Sequence, residues 1–134
     1  MSRILGVDYG DSRIGLALSD PLKIIASPYK TIPNKGWDSA LESIIQEEEI
    51  ETIVVGYPIG LKGQETTQTE KVIMFAESLK KFKLPIHLED ERLSSVSAQK
   101  SLIKQNIKTG HNKGMIDERA AAILLQQFLD KSNR

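Results

Sequence analysis

The chain reads as an α/β protein: a mixed five-stranded sheet, three antiparallel strands and then alternating helix and strand, with helices on both faces. Three patterns predict this. Near the N-terminus, apolar residues recur with the period of two of a strand, broken by short turn sequences. From Trp37 the period lengthens to that of an amphipathic helix. Thr52-Ile53-Val54-Val55-Gly56 is then almost wholly apolar, as a central parallel strand covered on both sides must be.

Arg3–Tyr9 forms the first expected strand, and Gly10-Asp11-Ser12 is turn chemistry. Arg13–Ser19 follows, with Ile14, Leu16 and Leu18 alternating with Gly15, Ala17 and Ser19. A connection this short joins antiparallel neighbours. Asp20-Pro21 opens the next turn. Ile24–Ile32 reads as a weaker third strand whose Pro28 marks an edge or a bulge. Trp37, Leu41, Ile44 and Ile45 stand at i, i+4, i+7 and i+8 of a helix, and Glu47-Glu48-Glu49 is its solvated end. After the Thr52–Gly56 strand, Tyr57–Gly63 is a loop rich in glycine and proline. The next helix begins within Gln64–Glu70, where Thr67 and Glu70 suit a capping box, and runs to about Phe82. Its expected apolar stripe is Ile73, Ala76 and Leu79. Pro85–Glu89 is a strand, Leu93–Gln105 a helix, Asn106–Gly114 a polar, basic loop, and Met115–Leu129 a final helix. Ribonuclease H-like domains have this element order.

At 134 residues the chain fits one compact domain, residues 1–134, with an aliphatic core: 40% of residues are hydrophobic and 5% aromatic. Eighteen basic and eighteen acidic side chains cancel, so affinity for an anionic polymer must come from a local patch or from metal ions. The absence of cysteine excludes disulfides, thiolate metal sites and a cysteine nucleophile. No apolar run approaches the roughly 20 residues of a membrane helix, and no leader precedes the first strand. A cytoplasmic protein without membrane contact is expected, as a monomer or weak homodimer.

The carboxylates carry the chemistry. Asp8 ends an apolar strand, and burying a bare carboxylate there costs several kcal/mol unless something compensates it. Asp8 shares its strand face with Ile4 and Gly6, and Gly6 leaves room for something to approach the backbone. Glu89-Asp90-Glu91 stands at the C-terminal end of a strand, where ligands of open α/β sheets collect. Asp117 precedes Ala120, Ala121, Leu124 and Phe128 by i+3, i+4, i+7 and i+11, which sets it on the apolar side of the last helix. Each acid has a plainer reading alone: Asp117 as a helix cap, Asp8 as the partner of Arg13. Together, like charges drawn from three distant segments call for a divalent ion. Oxygen donors, no cysteine and only two histidines favour Mg²⁺ or Mn²⁺ over zinc. A pair of such ions activates water against a phosphodiester.

Four segments resemble the YqgF/RuvX family of Holliday-junction-resolvase-like proteins: Gly6-Val7-Asp8-Tyr9-Gly10 with Arg13-Ile14-Gly15 and Ser19-Asp20; Val54-Val55-Gly56-Tyr57-Pro58 with Gly63; Asp90-Glu91-Arg92-Leu93-Ser94-Ser95; and Ile116-Asp117 with Ala120-Ala121, Ile123-Leu124-Leu125-Gln126 and Leu129-Asp130. The resemblance spans nearly the whole chain. Gly60-Leu61-Lys62 replaces a more polar stretch of the family, and Ser94 and Ser95 replace threonines. The resemblance implies a ribonuclease H-like fold and a metal-dependent nuclease that matures the 5′ end of pre-16S rRNA. Resolution of branched DNA is the alternative substrate. By position, Asp8, Asp90 or Glu91, and Asp117 are the implied catalytic metal ligands, and Asp90 and Glu91 stay unseparated.

Arg13, Lys62, Arg92, Lys108, His111 and Lys113, with Lys104 nearby, are candidate contacts to nucleic-acid phosphates, which fix register and read no sequence. Solvation of a surface loop is the plain alternative for each. His87, inside a strand, is expected to be structural. Two other function classes fit the chain less well. An ATP-binding phosphotransferase of the actin and sugar-kinase type also opens on a strand, an Asp and glycines, but those enzymes generally need two such domains. The chain also holds no G-x-x-x-x-G-K-[ST]. A non-catalytic interaction module on the same fold would not need acids at all three places.

Overall fold

A computed structural model describes residues 2–57, 67–90 and 113–133, with side chains from residue 117 onward in the last segment. The expected Leu93–Gln105 helix, most of the Tyr57–Gly63 loop and most of the Asn106–Gly114 loop lie outside these residues. The elements are β1 (Arg3–Tyr9), β2 (Arg13–Ser19), β3 (Ala26–Pro33), α1 (Trp37–Glu47), β4 (Ile50–Tyr57), α2 (Thr67–Leu79), β5 (Ile86–Asp90) and α3 (Lys113–Ser132). The sheet order is β3-β2-β1-β4-β5. β1–β2 and β2–β3 pair antiparallel, whereas β4 and β5 run parallel to β1. The mixed sheet is the one expected from the alternation of patterns.

Strand alternation divides the aliphatic residues between two faces. Leu5, Val7, Ile14, Leu16, Ile53 and Val55 point to the face covered by α1 and α2, where Leu41, Ile44, Val72, Phe75 and Leu79 meet them. Ile4, Ala17 and Val54 point to the other face, against Ala121, Ala122, Leu125 and Leu129 of α3. Val72, Phe75, Ala76 and Leu79 set the α2 stripe: Ala76 and Leu79 lie in it as expected, whereas Ile73 is only half-buried and Val72 takes its place. Complete burial of one of these leucines contributes about 1.5–3 kcal/mol, which makes the two interfaces the main source of cohesion.

Several boundaries differ from the pattern for identifiable reasons. β3 starts at Ala26 instead of Ile24 because the N–H groups of Ile24 and Ile25 donate to the Asp20 carboxylate at 2.7 and 3.0 Å. Those donors are thus unavailable to the ladder. Pro28 sits at an edge strand and beside a bulge, where the register slips between Leu16 and Ala17. β5 is displaced by one residue, since Pro85 has no N–H; its carbonyl accepts the N–H of Ile53 at 3.0 Å, and the strand takes in Asp90. β4 begins two residues early, at Ile50. α2 gives way at Lys80–Phe82 to a single 3₁₀ turn, ended by Lys83 in a left-handed conformation at φ 59°. α3 begins at Lys113, so Gly114 lies within the helix rather than in the loop.

The pair Ser19-Asp20 stabilises one corner of the sheet. The Ser19 hydroxyl, buried, accepts the Ile4 N–H at 2.8 Å where the β1–β4 register shifts, and donates to the Asp20 carbonyl at 3.0 Å. The two N–H groups from Ile25 and Ile24 hold the Asp20 carboxyl below the usual aspartate range near 3.8. A lowered carboxyl pKa adds stability that is complete above the unfolded-state value and is lost as pH falls through the folded one. Asp20→Asn will therefore be less stable than the parent at neutral pH. In chemical denaturation the gap will close as pH drops below about 4. Ser19→Ala, which strands a buried N–H, will cost roughly 1–3 kcal/mol across the same pH range.

Candidate active site

The antiparallel register sets Asp8 of β1 opposite Gly15 of β2. A side chain at Gly15 would fill the space that α3 occupies. A Cβ there would stand 2.2 Å from the Asp117 carbonyl oxygen and 2.8 Å from the Asp117 Cβ. α3 thus rests its first turns directly on the glycine that neighbours Asp8. Paired antiparallel residues put their side chains on one face, so Asp8, Gly15 and Asp117 share the α3 side of the sheet. Gly6, two residues before Asp8, faces the same way. Its missing Cβ would lie 2.9 Å from Leu125 Cβ. The room that Gly6 was expected to leave is used by the helix.

Arg13, two residues before Gly15, shares this face. Its Nε donates to Asp117 Oδ2 at 2.9 Å, and the two side chains are 42% and 25% exposed. The expected private partner of Asp8 is thus seen on Asp117. An ion pair this open to water adds at most about 1 kcal/mol, so it sets charge balance and orientation more than stability. The turn before Arg13 is fixed from outside. Asn34 Nδ2 donates to the Gly10 carbonyl at 2.7 Å, and the Asn34 N–H donates to the Ser12 carbonyl at 3.0 Å. Glu118, next to Asp117, accepts from the Thr31 hydroxyl at 3.1 Å, which ties the helix start to β3.

The third acidic segment is divided by the sheet. Val7 lies opposite Val55, so Gly56 is next in line with Asp8, and Gly56 is paired with Glu89. Gly15, Asp8, Gly56 and Glu89 therefore form one row across four strands, with strands about 4.8 Å apart. Asp90 pairs with Tyr57 and falls by alternation on the α1/α2 side, away from Asp8 and Asp117. Glu89 has the right face but another partner. It is buried and accepts from Lys131 Nζ at 2.6 Å. Lys131 stands fourteen residues beyond Asp117, about 21 Å along the helix. Its ammonium compensates the buried carboxylate and draws it toward the far end of α3. Among the described residues no three acidic or imidazole side chains gather as a metal cage; Asp8 and Asp117 share the α3 side of the sheet, each beside Gly15.

Glu91, Arg92, Lys62, Lys104, Lys108 and His111 lie outside the described residues, as does the side chain of Lys113, which opens α3. His87 packs its ring on Phe128 at 5.1 Å, in the structural role expected of it. The contributions of Gly15, Gly56 and Lys131 escaped the sequence reading. Gly15 had a visible signal, since it alternates with Ile14 and Leu16 on a strand and offers no side chain to its own face.

The profile of RuvX, described as Holliday junction resolvase, matches residues 2–131. The chain belongs to the RuvX family. Relatives from Desulforamulus reducens, Maridesulfovibrio salexigens and Dictyoglomus thermophilum are 44%, 40% and 38% identical to it. The alignments cover 96%, 97% and 98% of this chain and 96%, 99% and 97% of the relatives, each named "Putative pre-16S rRNA nuclease". Among solved structures, the fowlpox virus resolvase bound to Holliday junction DNA superposes with a TM-score of 0.61 at 12% identity, covering 98% of this chain and 99% of that one. RuvC of T. thermophilus, also with a junction substrate, gives 0.60 at 11% identity, over 99% and 96%. These likenesses establish the ribonuclease H-like fold read from the element order.

Gly15 is the position on which the two acids depend. Gly15→Ala will force α3 off the sheet, costing about 1–3 kcal/mol as an overpacked contact does. Chemical denaturation will show this loss as a lowered midpoint with an unchanged slope.

Proposed function

We propose that this protein is an endonuclease that hydrolyses phosphodiester bonds and matures the 5′ end of pre-16S rRNA in the cytoplasm. One observation carries the reading: Asp8 and Asp117, far apart in sequence, stand on one sheet face because Gly15, the pairing partner of Asp8, lets the start of α3 down onto the sheet. Membership of the RuvX family and the relatives named for pre-16S rRNA support the substrate. No helix of the described residues is long and apolar enough to cross a membrane.

Two carboxylates on one sheet face, in a chain without cysteine, suit a hard cation, Mg²⁺ or Mn²⁺. Asp8, Asp117 and an acid of the Asp90–Glu91 pair would hold it, with Glu91 favoured because Asp90 pairs on the opposite side. Such an ion supplies a low-pKa water and stabilises charge on the phosphate. The protein's own contribution is placement. Gly15, paired with Asp8, lets the start of α3 down onto the sheet and so carries Asp117 to the side of the sheet on which Asp8 stands. Arg13 balances Asp117 and is exposed enough to turn toward a phosphate oxygen, where a guanidinium binds in a fork. Neutral net charge leaves little long-range attraction for RNA, which fits a protein that acts on a substrate presented by the assembling ribosomal subunit.

RNA carrying the 16S 5′ precursor end, incubated with Mn²⁺, will be cut by the parent and spared when a chelator is added. Asp8→Asn and Asp117→Asn will each reduce the rate by at least about a hundredfold while the thermal transition persists. Cutting by both variants at the parent rate would overturn the assignment. A four-way DNA junction in the same assay measures the alternative substrate.

A further inference from the structure

The α1/α2 side of the sheet carries a second feature that the two acids do not use. At the C-terminal end of β1 a cavity of about 400 Å³ is lined by Tyr9, Asp11, Trp37, Lys71, Met74 and Phe75. Its walls are aromatic in a chain with few aromatics: of three phenylalanines, three tyrosines and one tryptophan, three meet here. Phe75 is buried and backs the cavity, with Tyr9 at 4.5 Å between ring centroids and Trp37 at 4.9 Å, edge-on. Lys81, paired with Asp38 at 3.1 Å, lies over Trp37 at 5.1 Å and holds the indole in place. Met74 stands at the rim, 71% exposed, a polarizable thioether with no core to fill. Lys71 and Asp11 pair at 3.1 Å beside it, a donor and an acceptor next to each other.

We infer that this cavity receives one unpaired nucleobase of the RNA strand whose phosphate lies at Asp8. The inference rests on the nuclease reading above and extends it to the substrate's conformation. Three features select a base over other occupants. The volume suits a single small-molecule-sized group and is far too small for a helix. Flat aromatic walls with a thioether rim stack bases without regard to sequence. Tyr9 follows Asp8 directly and points to the opposite face, so one residue separates the phosphate position from the base position. A strand crossing the end of β1 would leave its phosphate on the α3 side and turn its base over the sheet edge. Lys71 and Asp11 then offer the base edge a donor and an acceptor. A base held in a duplex is stacked and paired and cannot enter, so the site favours single-stranded or frayed RNA.

Trp37 is the only tryptophan, and its fluorescence reads the cavity directly. The full-length protein is titrated without divalent metal with a short single-stranded RNA, a blunt RNA duplex and a nucleoside monophosphate. The single strand will change the Trp37 emission saturably, the monophosphate will do so more weakly, and the duplex will not. Tyr9→Leu keeps bulk against Phe75 but removes the flat ring, and will weaken single-strand affinity by about tenfold. Met74→Ala, at an exposed position that the fold does not need, will weaken it several-fold, and serves if Tyr9→Leu does not fold. Equal affinity for duplex and single strand, an unchanged Trp37 signal at saturation, or parent affinity in Met74→Ala would each overturn the inference. Cleavage is scored separately with Asp8→Asn, which will still give the Trp37 response. Loss of cutting without loss of that signal, or the reverse, shows which of the two readings fails.

Discussion

The close approach of α3 to the sheet is the constraint on which the rest of the structure depends. A helix lies about 10 Å from a sheet when ordinary side chains separate them, and nearer only where the sheet face is nearly bare. β1 and β2 supply that bareness with Gly6, Gly15 and Ala17. Each glycine meets a specific part of the helix: Gly6 the Cβ of Leu125, Gly15 the backbone of Asp117. The same contacts that build the smaller hydrophobic cluster of Ile4, Val54, Ala121 and Leu125 therefore fix the height and rotation of the helix start. Because α3 is a rigid rod, the packing of its aliphatic middle decides where Asp117 stands. Helix packing and site geometry are one interaction.

Further polar contacts lock the helix against rotation. The Gln126 side chain accepts the Ala26 N–H at 2.8 Å and donates to the Ile24 carbonyl at 2.8 Å, fastening α3 to the start of β3. Asn133 donates to the Lys23 carbonyl at 2.9 Å in the same hairpin, which Asp20 already holds from within. Thr31 and Glu118 join at the other end. A register shift of one residue along α3 would break all of these and turn Asp117 away from Gly15. The Ser19-Asp20 and Gln126 positions, read first as parts of family motifs, thus act at the far end of the hairpin to keep the acids aligned.

Much of this was legible in the sequence, and the limits are physical. The alternation of Ile14, Leu16 and Leu18, and the unbroken Ile53-Val54-Val55 run, give strand type and burial because the period is short and local. Strand ends were less legible. Ile24 and Ile25 look like strand residues, but their N–H groups are taken by a carboxylate four and five residues away. Side-chain face within a strand is readable once its pairing is known: Glu89 pairs with Gly56 and Asp90 with Tyr57, so these adjacent acids fall on opposite sides of the sheet, a separation their sequence alone does not make. Asp8 and Asp117 were recognised by their conflict with apolar surroundings. The reason that they share a sheet face, Gly15, could be read only from the pairing, since a glycine in a strand shows no partner in sequence. Lys131 was hidden for the same reason: nothing local connects it to Glu89, forty-two residues earlier.

The two faces of the sheet carry different chemistry, and β1 is the hinge between them. Its last two residues, Asp8 and Tyr9, point to opposite sides. The α3 side needs small residues and carboxylates, because a helix must come close and charge must gather. The α1/α2 side needs bulk, because two helices stand over it and Phe75, Leu41 and Leu79 fill the gap. A substrate strand reaching the end of β1 therefore meets acids on one side and aromatic rings on the other. That division follows from strand geometry alone: consecutive residues cannot share a face. A charged phosphate and an apolar base are likewise the two unlike ends of a nucleotide, and a strand end that offers one residue to each is a simple way to hold both.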